Sequence, residues 1–425
     1  MRTHFGLAAT LVMVMVLALG PTGTSAAPSV ASSENAVVYW SGVAATSIIV
    51  GRAPASSAVL GGMVHGAIYD AVAAVEGGLE PFATGVSAPP RASADAAVAQ
   101  AARDVLVARV PGQAIPVQTA YEVYMAAIPD GAAKTAGKAV GAAAAAGMLA
   151  MRTGDHFDDA VAFVQPAPGP GVFEPIAAPG ITPGPPVDPK LAFVRPFTYD
   201  SPSDYRPDGP IELTSKKYAE DLAELQAYGR ATGSARTPLQ TETVRFHTDQ
   251  TFFQFNRTIR NLALARGLDL RESARLLGYV NVATADTMIA CWEAKYHYNF
   301  WRPTHAIQRA DTDGNAATSA DPTWAPLVVG NHPEYPSGHA CFTGAVTESL
   351  RNYFGTKHVP LVISSTTTGT TRTYDTLDDL VADVEDARVW GGLHFRSTVE
   401  QTGKDFPRIA RDVGREHFLP KAKSH

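Results

Sequence analysis

The sequence predicts an all-α protein made of helix bundles. Apolar residues recur at spacings of three and four over long stretches, and strand-like alternation is too rare for a sheet with helices packed on it. The chain has 425 residues, of which 45% are hydrophobic and 18% charged, enough for roughly two to three domains of core. A net charge of −6 without a long basic run gives no electrostatic support for nucleic-acid binding.

The first residues are typical of a secretory signal. A weakly positive start at Arg2 and His4 is followed by an apolar run over residues 7–19 and by small residues up to Ala27. We therefore expect residues 1–27 to be a signal peptide and the protein to be secreted or extracytoplasmic. After processing, we expect no stable membrane span, since the apolar run is short for one. An uncleaved anchor is the alternative.

The sequence leaves open whether the cysteines of the chain form a disulfide bond. Export would place the protein in an oxidising compartment, but it has only two cysteines, Cys291 and Cys341, so it is not a disulfide scaffold. A single bridge and two buried thiols are equally compatible with the sequence.

The helical patterns fall into two groups. The first group covers residues 59–75, 92–107, 121–127 and 134–151. Residues 164–212 then hold many Pro and Gly residues, which predict a long irregular connection. We therefore divide the chain after the signal into an N-terminal helical half (28–163), this connection (164–212) and a C-terminal helical half (213–425).

Helical patterns resume in the second half. They cover residues 214–228, 237–255, 271–302, 337–353, 376–390 and about 394–416. Pro303 is expected to stop the third of these. The β-branched segment 359–373 predicts a short strand or hairpin.

A first candidate site lies in the segment AKYHYNFWRPT, which contains Lys295 and Arg302. Seven residues are nearly two helical turns, so on one helix both cations would lie on one face and converge on a shared anion. An exposed basic face is the alternative, but aromatic neighbours such as Trp292 and Trp301 argue against it.

A second candidate is the sequence Pro336-Ser337-Gly338-His339. A helix that starts here would offer free backbone N–H groups and the positive end of its dipole to an anion. Ser337 adds a hydroxyl donor, Gly338 allows a close approach, and His339 is a candidate acid or base. The alternative is that Ser337 is an ordinary N-cap.

A third candidate is the segment ARVWGGLHF, with Arg388 and His394. Gly391 and Gly392 predict a helix end and a turn that places His394 at the start of the next helix. Arg388 suits an oxyanion because guanidinium binds such groups through two hydrogen bonds. Each cluster alone has an ordinary explanation, but together they predict a site for a multiply charged oxyanion of phosphate or vanadate type.

These motifs also carry a family resemblance. The order Lys–x6–Arg–Pro, Pro–Ser–Gly–His and Arg–x5–His over residues 295–394 resembles the type 2 phosphatidic acid phosphatases and the vanadium-dependent haloperoxidases. The segments WEAKYHYNFWRP and EYPSGHACFTGA are more similar to the haloperoxidase branch. The resemblance implies two helical bundles, with the active site at one end of the C-terminal bundle.

The resemblance implies roles for individual residues. The non-bridging oxygens of vanadate would be bound by Lys295, Arg302, Ser337, Gly338 and Arg388. His394 would be the metal ligand through a ring nitrogen, and His339 the acid–base residue that assists peroxide binding. Lys295 would also act in catalysis, by polarising a peroxide oxygen. Trp292 and His332 would line the halide pocket, and His332 favours bromide or iodide over chloride, unless it is a solvent-facing loop histidine.

The implied activity is that of a haloperoxidase with a vanadate cofactor. Its small-molecule partners would be hydrogen peroxide, a halide and an organic acceptor. The sequence leaves open whether the protein forms a homodimer. The alternative is an acid phosphatase without a cofactor, in which His394 attacks a phosphate ester to form a phosphohistidine and His339 protonates the leaving oxygen. A third possibility is an exported oxyanion-binding protein without turnover.

Two positions depart from the phosphatase pattern. Ala387 and Thr398 stand where phosphatases have Ser and Asp, and that Asp orients the nucleophilic histidine. The departure weakens the phosphatase hypothesis and leaves the partner of His394 open, with Glu400 or a backbone carbonyl as candidates.

Overall fold

The computed structural model describes residues 35–176 and 184–421, and the predicted signal peptide, residues 1–27, lies outside them. Its earlier helices are α1 (Ala36–Ile48), α2 (Pro54–Glu76), α3 (Ala94–Arg109), α4 (Ala114–Ala126) and α5 (Ala132–Met151). The later helices are α6 (Lys216–Tyr228), α7 (Pro238–Phe246), α8 (Thr251–Ala265), α9 (Leu270–Tyr298), α10 (Pro303–Gln308), α11 (Gly338–Phe354), α12 (Leu377–Trp390), α13 (Arg396–Asp405) and α14 (Pro407–Glu416). The predicted all-α fold is confirmed.

The strand prediction is also confirmed. Strands β1 (Leu361–Ser364) and β2 (Thr371–Tyr374) form an antiparallel hairpin, in which Leu361 pairs with Tyr374.

Helix α1 was not predicted from the sequence. It is buried on most sides, so it lacks the polar face that makes a helix recognisable as amphipathic.

Two predicted helices are each broken in two. The segment 237–255 forms α7 and α8, because the Gln250 side chain accepts the Phe253 N–H at 2.9 Å and starts a new helix. The Asp249 carboxylate beside it accepts the Thr366 N–H at 2.7 Å, which ties the break to the hairpin. The segment 394–416 forms α13 and α14, with Pro407 at the first position of the second helix.

The prediction of a helix over residues 271–302 is wrong at its end. Helix α9 stops at Tyr298, and Asn299 takes a left-handed conformation with φ 47°. Arg302 is extended (φ −78°, ψ 155°), as residues before proline usually are, and it caps α10. Lys295 and Arg302 therefore do not share a helix face, although both reach the same site.

Helix α9 is the centre of the core. Helix α2 packs along it, and α11 and α14 pack on other sides. By length and hydropathy α2 would be able to cross a membrane, but 83% of its most apolar window is buried inside the protein, as expected of a core helix. The predicted division of the chain at residues 164–212 stays a prediction.

The two cysteines form a bridge, which answers the question the sequence left open. Cys291 of α9 is bonded to Cys341 of α11, with their Cα atoms 6.5 Å apart. The bond joins the helix that carries Lys295 to the helix that begins at Gly338. It closes a loop of 50 residues that holds much of the candidate site.

Replacing both cysteines by serine is expected to lower the free energy of unfolding by about 4 kcal/mol, since the unfolded chain regains the entropy that the cross-link removes. Chemical denaturation of the two proteins measures this difference. Reduced wild-type protein serves as the control and should unfold like the variant. Equal stability of the oxidised wild type and the variant would contradict the role of the bridge.

Candidate active site

Three buried cations converge where α9, α10 and α12 end or begin. The exposed fractions of Lys295, Arg302 and Arg388 are 0%, 1% and 3%. The carboxylate of Glu334, which is also fully buried, is close to them. The group thus carries an excess of positive charge in a region of low dielectric, which favours an anion as its ligand.

Lys295 binds the loop that leads into α11. Its Nζ donates hydrogen bonds to the carbonyls of Pro333 (2.9 Å), Glu334 (3.0 Å) and Pro336. Burial, followed by the positive charge of Arg302, lowers the pKa of Lys295 well below its usual value. Three carbonyl acceptors favour the charged ammonium, so Lys295 fixes the Pro-Ser-Gly-His segment and adds positive potential, but it lines neither of the cavities described below.

Arg302 connects the candidate residues to one another. Its Nε donates to the His332 carbonyl at 2.6 Å, its Nη1 to the Leu393 carbonyl at 2.9 Å, and Nη1 lies 3.4 Å from His394 Nε2. A Cβ added to Gly330 would lie 3.0 Å from Nη2, so a side chain there would displace the guanidinium. Burial lowers the pKa of Arg302 to about 10, which leaves it charged at neutral pH.

Arg388 reaches the site from the last turn of α12. Its Nη1 donates to the His247 carbonyl at 3.0 Å. Its Nε is buried without a hydrogen-bond partner among the described residues, so this guanidinium keeps donor capacity for a ligand. Burial and the charge of Arg302 lower the pKa of Arg388 to about 9.

The predicted glycine turn places His394. Helix α12 ends at Trp390, and Gly392 adopts φ 75°, a conformation that favours glycine. The Leu393 N–H then donates to the Arg388 carbonyl at 3.0 Å, which closes the turn. His394 lies two residues before α13, close to the predicted helix start.

His394 has a carboxylate partner that sequence reasoning missed. Its Nδ1 lies 2.9 Å from Glu334 Oε1, which also accepts the Phe395 N–H at 3.1 Å. The Thr398 hydroxyl donates to Glu334 Oε2 at 3.0 Å. Glu400 is exposed, so the hypothesis that it orients His394 is wrong. The available signal was the acid two residues before Pro-Ser-Gly-His, in the segment EYPSGH.

Electrostatics set the proton position in this pair. Burial raises the pKa of Glu334 to about 7, although Arg302 and Lys295 oppose the rise. Burial and Arg302 lower the pKa of His394 well below its usual value, so the imidazole is neutral at neutral pH. With its proton on Nδ1, facing Glu334, His394 keeps the Nε2 lone pair on the side of Arg302.

The start of α11 shows the N-cap that the sequence offered as the alternative, and its role in binding an anion stays a prediction. Ser337 is an N-cap, because its Oγ accepts the Ala340 N–H at 3.4 Å, and its own N–H donates to Thr402 Oγ1 at 3.0 Å. A Cβ on Gly338 would lie 3.1 Å from the Trp292 ring, so the close approach is to this indole. Ser337 is buried and lines neither cavity, whereas Gly338 lines one of them.

Two adjoining cavities reach these residues. The polar chamber has a volume of about 340 Å³, and its walls include Arg302, His332, His339, Arg388 and His394. The apolar chamber has a volume of about 240 Å³, and its walls include Met288, Trp292, Gly338 and Phe342. The two share the wall residues Pro54, Thr251, Val329, Gly330, His332 and His339. A molecule in the apolar chamber would therefore lie against the cationic group.

The two remaining histidines stand at the junction of these chambers. His339 Nε2 lies 3.2 Å from Thr251 Oγ1, and burial together with Arg388 lowers its pKa well below the usual value. His332 Nδ1 lies 2.7 Å from Arg302 Nη2, and its ring packs against Trp292 with centroids 5.3 Å apart. His332 is thus half-buried and is not a solvent-facing loop histidine.

A second cluster that sequence reasoning missed supports Arg388. His247 Nε2 lies 2.9 Å from Asp383 Oδ2, which also accepts hydrogen bonds from Tyr374 OH (2.6 Å) and Arg372 Nη1 (2.9 Å). Because the His247 carbonyl accepts from Arg388, this cluster holds the guanidinium in place. It was missed because residues 237–255 were expected to form one helix, which would have left no break at His247.

Fold and site together define a class: helical-bundle proteins with a buried cationic pocket that is closed by a carboxylate-bound histidine. Comparisons with known proteins identify similar sequences and similar folds. A family model described as the VCPO second helical-bundle domain matches residues 275–418. Vanadium chloroperoxidase from Curvularia inaequalis is 33% identical over an alignment of 120 residues, and the match covers 24% of this chain and 19% of that protein. The match thus spans about a fifth of the length of this curated relative.

Solved structures share the fold over most of their length. The first bacterial vanadium-dependent iodoperoxidase superposes with a TM-score of 0.77 at 19% identity, over 91% of this chain and 98% of that one. A holo-type bacterial vanadium-dependent chloroperoxidase gives a TM-score of 0.70 at 18% identity, over 86% and 93%. The chain is therefore similar to the second helical-bundle domain of VCPO over residues 275–418, and over most of its length it has the fold of the solved vanadium-dependent haloperoxidases.

Proposed function

We propose that the protein is a secreted vanadium-dependent haloperoxidase that oxidises bromide or iodide with hydrogen peroxide. The observation that carries the proposal is the polar chamber, whose wall combines Arg302, Arg388 and the neutral imidazole of His394. The haloperoxidases among its relatives support the same activity.

The residues of the polar chamber fit vanadate. Arg302 and Arg388 would bind its oxygens, and the buried Nε of Arg388 is a donor with no other partner among the described residues. His394 Nε2 would be the metal ligand, while Lys295 and the first turn of α11, with Ser337 and Gly338, would add positive potential. Bound vanadate would supply a Lewis acid that activates hydrogen peroxide for attack by the halide.

His339 is suited to move the proton of the peroxide. It lines both chambers, and its lowered pKa keeps the ring neutral and able to accept a proton at neutral pH. The hydrogen bond between its Nε2 and Thr251 fixes the ring at the junction of the chambers. The buried cations then stabilise the negative charge that develops on the oxygen.

Replacing His332 by Phe is expected to lower the preference for bromide over chloride by about tenfold. The imidazole accepts from Arg302 Nη2 at 2.7 Å, and phenylalanine would release this donor toward the site, which strengthens the pull on the peroxide and lets it oxidise chloride. Initial rates with each halide give the ratio of kcat/KM. His417→Phe, at the half-buried end of α14, is the control. An unchanged ratio in His332→Phe would remove His332 from the halide pocket.

A phosphatase is the second candidate, and one observation favours it. Phosphatases orient their attacking histidine with an acid, and here Glu334 contacts His394 Nδ1 although Thr398 replaces the usual Asp. The replacement at position 398 therefore no longer counts against a phosphohistidine mechanism. In that case His394 Nε2 would attack phosphorus, and His339 would protonate the leaving oxygen.

One pair of assays separates the candidates. Purified protein with orthovanadate, hydrogen peroxide and bromide should brominate a phenolic dye and leave p-nitrophenyl phosphate intact. Hydrolysis of the phosphate ester, with vanadate acting only as an inhibitor, would establish the phosphatase instead. Binding of vanadate without either activity would indicate an oxyanion-binding protein. Secretion is tested separately, by N-terminal sequencing of protein recovered from the culture medium, which should begin near residue 28.

A further inference from the structure

We propose that the apolar chamber binds the organic acceptor, and that this acceptor is a small arene of one or two fused rings. The inference rests on the proposed haloperoxidase function. Its basis is the volume and lining of the chamber, together with the six wall residues it shares with the polar chamber.

The volume of the chamber fits such a ring system. Cavities of about 150 Å³ with apolar walls are large enough to bind benzene, whereas a water molecule occupies about 30 Å³ of liquid. The 240 Å³ chamber is therefore much larger than a monatomic halide needs and is suited to a phenol or an indole.

The lining of the chamber is aromatic and apolar on its buried side. Met288, Trp292 and Phe342 are 1%, 5% and 2% exposed. The indole N–H of Trp292 donates to the Val187 carbonyl at 3.2 Å, so its only polar atom is already bonded and the rest of the indole is apolar. Arenes pack favourably against such rings in offset or edge-to-face geometry.

Hydrogen bonds fix the part of the chamber wall formed by Val187 and Asn331. The Val187 N–H donates to the Asn331 carbonyl at 2.9 Å, and the Asn331 amide donates to the carbonyls of Gly184 (3.0 Å) and Pro185 (3.2 Å). The Tyr296 hydroxyl donates to the Val187 carbonyl at 2.6 Å. A pocket held in this way needs little reorganisation on binding, which favours a defined pose for the ring.

The chamber places the ring beside the site where the oxidised halide forms. Halide and hydrogen peroxide first give hypohalous acid. The ring carbon then forms a bond to the halogen while the oxygen–halogen bond breaks, and the released hydroxide takes the ring proton to form water. Overall, arene, halide, hydrogen peroxide and one proton give haloarene and two waters. The arene is oxidised and the peroxide reduced by two electrons.

The test narrows the chamber by a substitution in its wall and measures the binding of the arene directly. Ala53 lines only the apolar chamber, at the start of α2, and Ala53→Phe should fill part of it. Calorimetric titration of phenol and indole into protein without vanadate should show binding that Ala53→Phe weakens by about tenfold or more. The matched control is Ala132→Phe, at the exposed start of α5, which should bind like wild type.

Turnover gives an independent readout. Bromination of phenol by the vanadate-loaded protein should give an ortho-to-para ratio different from that of free hypobromite, and Ala53→Phe should shift the ratio toward the free value. A ratio equal to that of hypobromite, with arene binding unaffected by Ala53→Phe, would overturn the inference and leave halide oxidation intact. Absence of any bromide oxidation would instead overturn the proposed function, and the titration would still decide whether the chamber holds an arene.

Discussion

Replacement of His394 by Ala is expected to lower bromide oxidation by roughly a thousandfold, because the proposed metal ligand is lost. The substitution removes the ring whose Nε2 lies beside Arg302 and whose Nδ1 contacts Glu334. Dye bromination at saturating vanadate measures the effect. The loss should be partly restored by imidazole added to the buffer, which a general structural defect would not allow.

His417→Ala is the control for this variant, since His417 is a half-buried histidine at the end of α14, outside the site in which His394 is buried. It should keep the wild-type rate within about twofold. If His394→Ala keeps most of its bromide oxidation while remaining folded, the histidine is not the ligand and the proposed mechanism is wrong.

The second large effect is expected from Glu334→Gln. A carboxylate at this position accepts the proton of His394 Nδ1, whereas a glutamine amide is able to donate to Nδ1 and so move the ring proton to Nε2, where the ligand must bind. Vanadate affinity should fall about 10- to 100-fold. Titration of the apoprotein with orthovanadate measures the dissociation constant, and kcat at saturating vanadate should change much less.

Thr398→Val serves as the control for Glu334→Gln. It removes the hydroxyl that donates to Glu334 Oε2 but keeps the carboxylate on His394, so the loss of affinity should be less than tenfold. Equal losses in the two variants would mean that Glu334 acts only through packing. Unchanged affinity in Glu334→Gln would show that the tautomer of His394 does not depend on this acid.

Local sequence signals were sufficient for most of the fold. The 3.6-residue pattern located α2, α3, α6, α11 and α12 to within a few residues, except at the start of α2, and the β-branched segment located the hairpin. The errors lie where side chains far apart in the sequence decide the local structure. Asp249, for example, binds Thr366 of the hairpin loop, and this contact helps break the helix expected over residues 237–255.

The sequence motifs likewise located only some of the residues that line the candidate site. Arg302, Arg388 and His394 were singled out because their motifs are ordered along the chain, and the structure brings them to one cavity. Lys295 and Ser337 were singled out in the same way but line neither cavity, since Lys295 donates to loop carbonyls and Ser337 caps α11.

Which partner orients each of these residues does not follow from the spacing of the sequence motifs. Glu334 meets His394 across 60 residues, and His247 meets Arg388 across 141. Neither pair has a fixed spacing or periodicity, because each depends on how the loops between helices pack. Such contacts become visible only once the fold has brought the helix ends together.

The central claim is that Arg302, Arg388 and His394 hold one oxyanion in the polar chamber. An anomalous difference map from a crystal soaked in orthovanadate tests it most directly. We expect one vanadium peak per chain, within bonding distance of His394 Nε2 and hydrogen-bonded through its oxygens to both arginines. A vanadium peak elsewhere on the protein, or none in the chamber at saturating vanadate, would contradict it.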